Sequence, residues 1–146
     1  MRQVLFLCTA NYYRSRFSEL LFNALATQAP IGWVADSRGI ATELGGGNVG
    51  PISPYAVAGL QARGIPVNGD HRWPRQVEDE HFAAADLVIA LDEHEHRPFM
   101  TRKFPAWVDR IEYWHVGDLH IATVEEALPL AERNIHALIK RLASRG

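Results

Sequence analysis

The run Val4-Leu5-Phe6-Leu7-Cys8 is apolar at every position, without the polar alternation of a strand that faces water. A strand over residues 3–8 must therefore be buried on both faces, a condition met in parallel sheets covered by helices on each side. The rest of the chain supplies matching parts. From Ser15 onward, Phe17, Leu20, Leu21, Ala24 and Leu25 fall at helical spacing, and Pro30-Ile31-Gly32 stops that helix. Trp33 to Ser37 reads as a second strand, and the glycine-rich stretch Gly45 to Pro51 as a loop. Ser53-Pro54 caps a helix through about Ala62, with Ser at the N-cap and Pro in the first turn, and Gly64-Ile65-Pro66 closes it. Val77 to Ala85 reads as a short helix, Asp86 to Leu91 as a third strand and Glu93 to Arg102 as a charged helix. Val108 to Trp114 contains a fourth strand. Thr123-Val124-Glu125-Glu126 is a capping box. It opens a terminal helix with Leu128, Ala131, Ile135, Leu138, Ile139 and Leu142 on one side. Pro129 is expected to kink that helix or to mark where its main run starts.

Strands alternating with helices predict an α/β fold, a four-stranded parallel sheet flanked by helices on both faces. The 146 residues suit one domain with a full core, residues 1–146, without repeat or linker. Ligands of such sheets sit beyond the C-terminal strand ends. Cys8 ends the first strand and Asp118 lies just past the fourth, so both belong to the same rim.

Between the first strand and the first helix stands Cys8-Thr9-Ala10-Asn11-Tyr12-Tyr13-Arg14-Ser15. A helix N-terminus leaves main-chain N–H groups without partners and carries partial positive charge. A tight loop feeding into it aims such groups at one spot, an anion nest. Thr9 to Ser15 are thus the candidate phosphate-binding residues. Arg14 adds a planar fork that grips two phosphate oxygens, which Lys cannot do. The same field favours the thiolate form of Cys8, and the Ser15 hydroxyl stands where it can donate to the sulfur. Asn11 is a residue type that tolerates the left-handed backbone such a loop needs. A chance match of Arg then Ser or Thr at this distance from the lone cysteine is on the order of one per cent. The competing reading is an inert, buried cysteine at a strand end.

Composition excludes several classes. A net charge of −2 gives no electrostatic case for nucleic acid or an anionic membrane. A single cysteine rules out an intrachain disulfide, and a working thiolate needs a reducing compartment. The N-terminus reads as a strand rather than a signal peptide, and no apolar run is long enough to span a bilayer, so the cytoplasm is expected. His94, His96, His115 and His120 match no closed zinc spacing and read as solvated surface. No metal site and no cofactor are expected.

The chain resembles the low-molecular-weight protein tyrosine phosphatase family over nearly its whole length. The resemblance rests on Val4 to Ser15, Asp36-Ser37-Arg38-Gly39, Ala85 to Ile89 and Trp114-His115-Val116-Gly117-Asp118. It implies a flavodoxin-like sheet and metal-independent hydrolysis of phosphate monoesters. It implies Cys8 as nucleophile, Arg14 as the grip on phosphate and transition state, and Asp118 as general acid. Asn11, Ser15, Ser37 and His71 are similar to the set that holds the phosphate loop in shape. By type, Asp36, Asp86, Asp92 and Asp109 compete with Asp118, and Gly117-Asp118 is also an ordinary turn pair. His71 fits either a buried support of the loop or a surface histidine. The chain departs from the family pattern at Ala10, where Gly is common, at Tyr13, which replaces a second cysteine, and at Leu119, where Pro is usual. Its loop from Ile40 to Gly47 lacks the aromatic that helps to sandwich phosphotyrosine, leaving Tyr12 and Tyr13 as wall or core residues. The implied partner is a phosphorylated protein or a small phosphate monoester, including phosphoarginine or a phosphosugar. A monomer or weak dimer is expected. Two alternatives remain: an arsenate reductase using an external thiol, and a phosphate-binding module without turnover.

Overall fold

The computed structural model describes residues 1–67 and 72–144. Strands β1 (Arg2–Cys8), β2 (Trp33–Gly39), β3 (Leu87–Ala90) and β4 (Glu112–Tyr113) form one sheet in the order β2-β1-β3-β4. Every pairing is parallel, with Cys8 opposite Gly39 and Leu7 opposite Ala90. The helices are α1 (Arg14–Gln28), α2 (Pro54–Gln61), α3 (Asp79–Ala84), α4 (Glu93–Lys103) and α5 (Val124–Ser144). A 3-10 turn occupies Thr42–Gly45.

The unbroken apolar run of β1 finds apolar cover on both sides. Val4 and Phe6 enter a core with Phe17, Leu21 and Phe22 of α1, Leu60 of α2, and Leu128, Ile135, Leu138 and Leu142 of α5. Leu5 and Leu7 enter the opposite core with Val88, Phe82 of α3, Met100 of α4 and Phe104. Each large side chain so buried contributes about 1.5–3 kcal/mol. A central strand held from both sides gives its C-terminal residue, Cys8, a fixed position.

The sequence signals for caps are realised. Ser53 accepts from Tyr55 N–H at 3.2 Å. Thr123 N–H donates to Glu126 at 3.0 Å while Glu126 N–H donates to Thr123 Oγ1 at 3.2 Å. The α5 helix runs from Val124 to Ser144 with Pro129 inside it, so its main run starts at the capping box and not at Pro129. Pro129 deprives only the carbonyl of exposed Glu125 of its helical donor.

Gly39 is where sheet and phosphate loop touch most closely. A Cβ there would stand 2.7 Å from the carbonyl oxygen of Thr9 and 2.6 Å from Thr42 Cγ2. Gly39→Ala must push the backbone of the loop out of place. Overpacking of this kind costs about 1–3 kcal/mol, and we expect a matching fall in denaturant midpoint at unchanged m-value.

Candidate active site

Residues 9–13 turn from β1 into α1. Asn11 has φ 55°, the only positive φ at a non-glycine residue among those described. Its turn lets the loop close over the end of the strand. Among the described residues, no main-chain N–H of residues 10–15 donates to a protein acceptor. The N-cap residue Tyr13 supplies no side-chain cap, and the first turn of α1 holds no acidic residue. A helix start built this way is unfavourable by itself. It becomes favourable when an anion occupies the loop.

A network of hydrogen bonds surrounds Cys8. Asn11 Nδ2 donates to Ser15 Oγ at 2.8 Å and to Ser37 Oγ at 2.9 Å. Ser15 Oγ lies 2.9 Å from Cys8 Sγ, and either group can be the donor in that bond. Ser37 donates to Glu19 Oε1 at 2.6 Å. Arg72 closes the set, donating to Asn11 Oδ1 at 2.9 Å, Glu19 Oε1 at 2.9 Å and Ser37 Oγ at 2.9 Å. Burial raises the Glu19 carboxyl above its ordinary range, against the opposing pull of Ser37 and Arg72. The chain of donors runs from Arg72 through Asn11 to the Ser15 hydroxyl beside the sulfur.

Arg14 is buried beside this chain. Its Nη1 donates to Glu95 Oε1 at 3.2 Å and to the Val116 carbonyl at 3.0 Å, and its Nη2 donates to Glu95 Oε2 at 2.7 Å. Burial works against the Arg14 charge, but Cys8, Glu95 and Asp118 outweigh it. Glu95 also accepts from Thr9 Oγ1. Burial alone would raise the Glu95 carboxyl, yet His96, Arg14 and Thr9 hold it far below the usual carboxylate range. Asp118 Oδ1 accepts from Leu119 N–H at 2.9 Å, and its Oδ2 stands 3.8 Å from Arg14 Nη2.

Above the loop opens a cavity of about 680 Å³, lined by Cys8, Arg14, Glu95 and Asp118 together with Tyr12, Tyr55 and Phe99. Tyr12 is half-buried, and its hydroxyl donates to the Val49 carbonyl at 2.6 Å. Tyr13 is both wall and core, with its hydroxyl buried and without a hydrogen-bond partner among the described residues. Burial, then the Asp118 charge, pushes its ionisation up to about 12, so it remains a neutral phenol.

The structure brings Cys8, Arg14, Ser15 and Asp118 to one rim and joins Asn11, Ser15 and Ser37 in one network. His71 lies outside the described residues. The reading of all four histidines as surface is corrected for His96. It is fully buried, its Nδ1 accepts from Asp92 N–H at 3.1 Å, and its Nε2 lies 3.1 Å from Thr9 Oγ1. Burial lowers its ionisation below the usual imidazole range. His94, His115 and His120 are exposed. Among the described residues no group of three or more His, Cys, Asp or Glu is placed to hold a metal ion. None of the helices there is long and apolar enough to cross a membrane. Glu19, Arg72 and Glu95 are site residues that the sequence reading passed over. Tyr55 and Phe99 are walls that it did not foresee.

Residues 3–144 match the family model for low molecular weight phosphotyrosine protein phosphatase, and the chain belongs to that family. It is 36% identical over 95 residues to the low molecular weight phosphotyrosine protein phosphatase of Sus scrofa, covering 63% of this chain and 56% of that protein. It thus spans little more than half the length of that relative. It is 27% identical over 108 residues to a protein-arginine-phosphatase of Bacillus subtilis, covering 74% of this chain and 67% of that one. Among solved structures, the low molecular weight protein tyrosine phosphatase from T. tengcongensis superposes with a TM-score of 0.78 at 26% identity, over 97% of this chain and 99% of that one.

Proposed function

We propose that the protein hydrolyses phosphate monoesters, with phosphotyrosine in a protein segment as the preferred substrate, through a cysteinyl-phosphate. The reading is carried by one observation: Cys8 Sγ lies 2.9 Å from the Ser15 hydroxyl, beside Arg14, at the floor of the cavity. Unpartnered main-chain donors and the Arg14 guanidinium surround that floor.

The Cys8 thiolate attacks phosphorus in line. The S–P bond forms, the P–O bond to the leaving group breaks, and Asp118 gives its proton to the departing oxygen. Water then attacks the cysteinyl-phosphate while the Asp118 carboxylate takes its proton. The S–P bond breaks, and Ser15 donates to the leaving sulfur. The donors of residues 10–15 and Arg14 follow the equatorial oxygens through both steps, usually the largest catalytic contribution.

The walls favour an aryl ester. Tyr12, Tyr55 and Phe99 supply aromatic surface where the loop from Ile40 to Gly47 supplies none. Exposed Leu44, Val49 and Leu119 rim the same mouth, which suits the apolar neighbours of a phosphotyrosine in a protein chain better than a sugar phosphate. The test is turnover of a chromogenic aryl phosphate, then of phosphotyrosine, phosphoserine and phosphoarginine peptides, with chelator present, and of arsenate with added thiol. Phosphotyrosine should lead in kcat/KM. Absence of aryl phosphate turnover by pure protein that still binds phosphate would end this reading. Tyr55→Ala should raise KM for the phosphotyrosine peptide by about 2–10-fold at little changed kcat, the scale of one aromatic contact.

A further inference from the structure

Arg14 has more donors than its partners use. Of the five N–H groups of a guanidinium, both on Nη1 are taken, by Glu95 Oε1 at 3.2 Å and by the Val116 carbonyl at 3.0 Å. One on Nη2 goes to Glu95 Oε2 at 2.7 Å. The other Nη2–H and the Nε–H lie parallel on the opposite edge, with no acceptor among the described residues. Asp118 Oδ2 stands 3.8 Å from Nη2.

Glu95 is itself fixed. It projects from the first turn of α4, where a carboxylate is favoured by the helix dipole. The next residue, His96, is locked: its Nδ1 accepts from Asp92 N–H at 3.1 Å, so the proton of the neutral ring is on Nε2. That Nε2 lies 3.2 Å from Glu95 Oε2 and 3.1 Å from Thr9 Oγ1, and Thr9 donates to the same carboxylate oxygen. A carboxylate with donors from the loop, from α1 and from α4 cannot rotate freely.

We propose that Glu95 is a positioning residue: it clamps the outer edge of Arg14 so that the inner edge stays aimed at the equatorial oxygens of the transferring phosphoryl group. This rests on the phosphatase reading above. The consequence separates ground state from transition state. An anion at rest in the loop is held mainly by main-chain donors, and the Glu95 charge opposes its binding. The trigonal-bipyramidal transition state needs the Arg14 fork in register, and register is what Glu95 supplies.

Glu95→Gln removes the charge and replaces one acceptor oxygen by an amide that cannot accept. With an aryl phosphate we expect kcat to fall about 10–100-fold while KM changes less than about 3-fold. Inhibition by vanadate, which takes the five-coordinate geometry, should weaken by the same factor as kcat. Inhibition by inorganic phosphate should stay equal or become tighter. Glu95→Asp keeps the charge but reaches only one nitrogen, and should show the same split at smaller amplitude. A kcat within about 2-fold of wild type overturns the proposal, as does equal weakening of phosphate and vanadate, or failure of both variants to fold. In all of these cases wild-type turnover stands untouched. Its absence would instead sink the phosphatase reading itself.

Discussion

Cys8→Ser is expected to abolish turnover of aryl phosphates, a loss of about 10⁴-fold or more, the scale seen when a nucleophile is removed from an intact site. The expected phosphate affinity is unchanged within a few-fold. The two results have separate causes. Residues 10–15 offer main-chain N–H groups that no side-chain exchange removes, and Arg14 keeps its inner edge. Those donors bind an anion whether or not a sulfur lies beneath it. Turnover, in contrast, needs an ionised nucleophile. A serine hydroxyl stays protonated in the field that favours a thiolate, and alkoxide is a poor leaving group in the second step. Steady-state turnover beside a phosphate titration by calorimetry checks both halves. More than about 1% residual activity would mean that the attacking group is not Cys8.

What the sequence discloses about this site follows chain distance. The stretch Cys8 to Ser15 is legible because strand, loop and helix start are consecutive, so the anion nest is a local property. The double burial of β1 is legible because alternate residues, Val4 and Phe6 against Leu5 and Leu7, are all apolar and therefore need cover on both faces. Glu95 is not legible. Flanked by Glu93, His94 and Arg97, it reads as part of a solvated helix face, and only the packing of α4 on the sheet turns it toward Arg14, eighty-one positions earlier. The same holds for Arg72, whose partners Asn11, Glu19 and Ser37 come from three distant segments. Tyr55 and Phe99 belong to different helices and become walls only because the first turn of α2 and the body of α4 both border the cavity. Pro129 does not set the start of the terminal helix because the capping box at Thr123 already opens α5 at Val124.

Asp118→Asn should lower kcat for phosphotyrosine about 10²–10³-fold, the usual contribution of a positioned general acid. The structure reduces the candidates for this role. Asp36 pairs with Arg75 at 2.9 Å, Asp86 accepts from Gln3 N–H at 2.8 Å, and Asp109 pairs with Arg97 at 2.7 Å. Asp92 is buried at the start of α4. Of the described aspartates, only Asp118 lines the cavity. Glu95 lines it too, but its proton is lost far below the usual carboxylate range, so it has none to give at working pH. Asp118 has Oδ1 tied to Leu119 N–H at 2.9 Å and Oδ2 standing 3.8 Å from Arg14 Nη2. The defect of Asp118→Asn should shrink with an activated aryl phosphate whose phenol leaves as a stable anion. An Asn variant equally impaired on both esters would assign the proton to another donor.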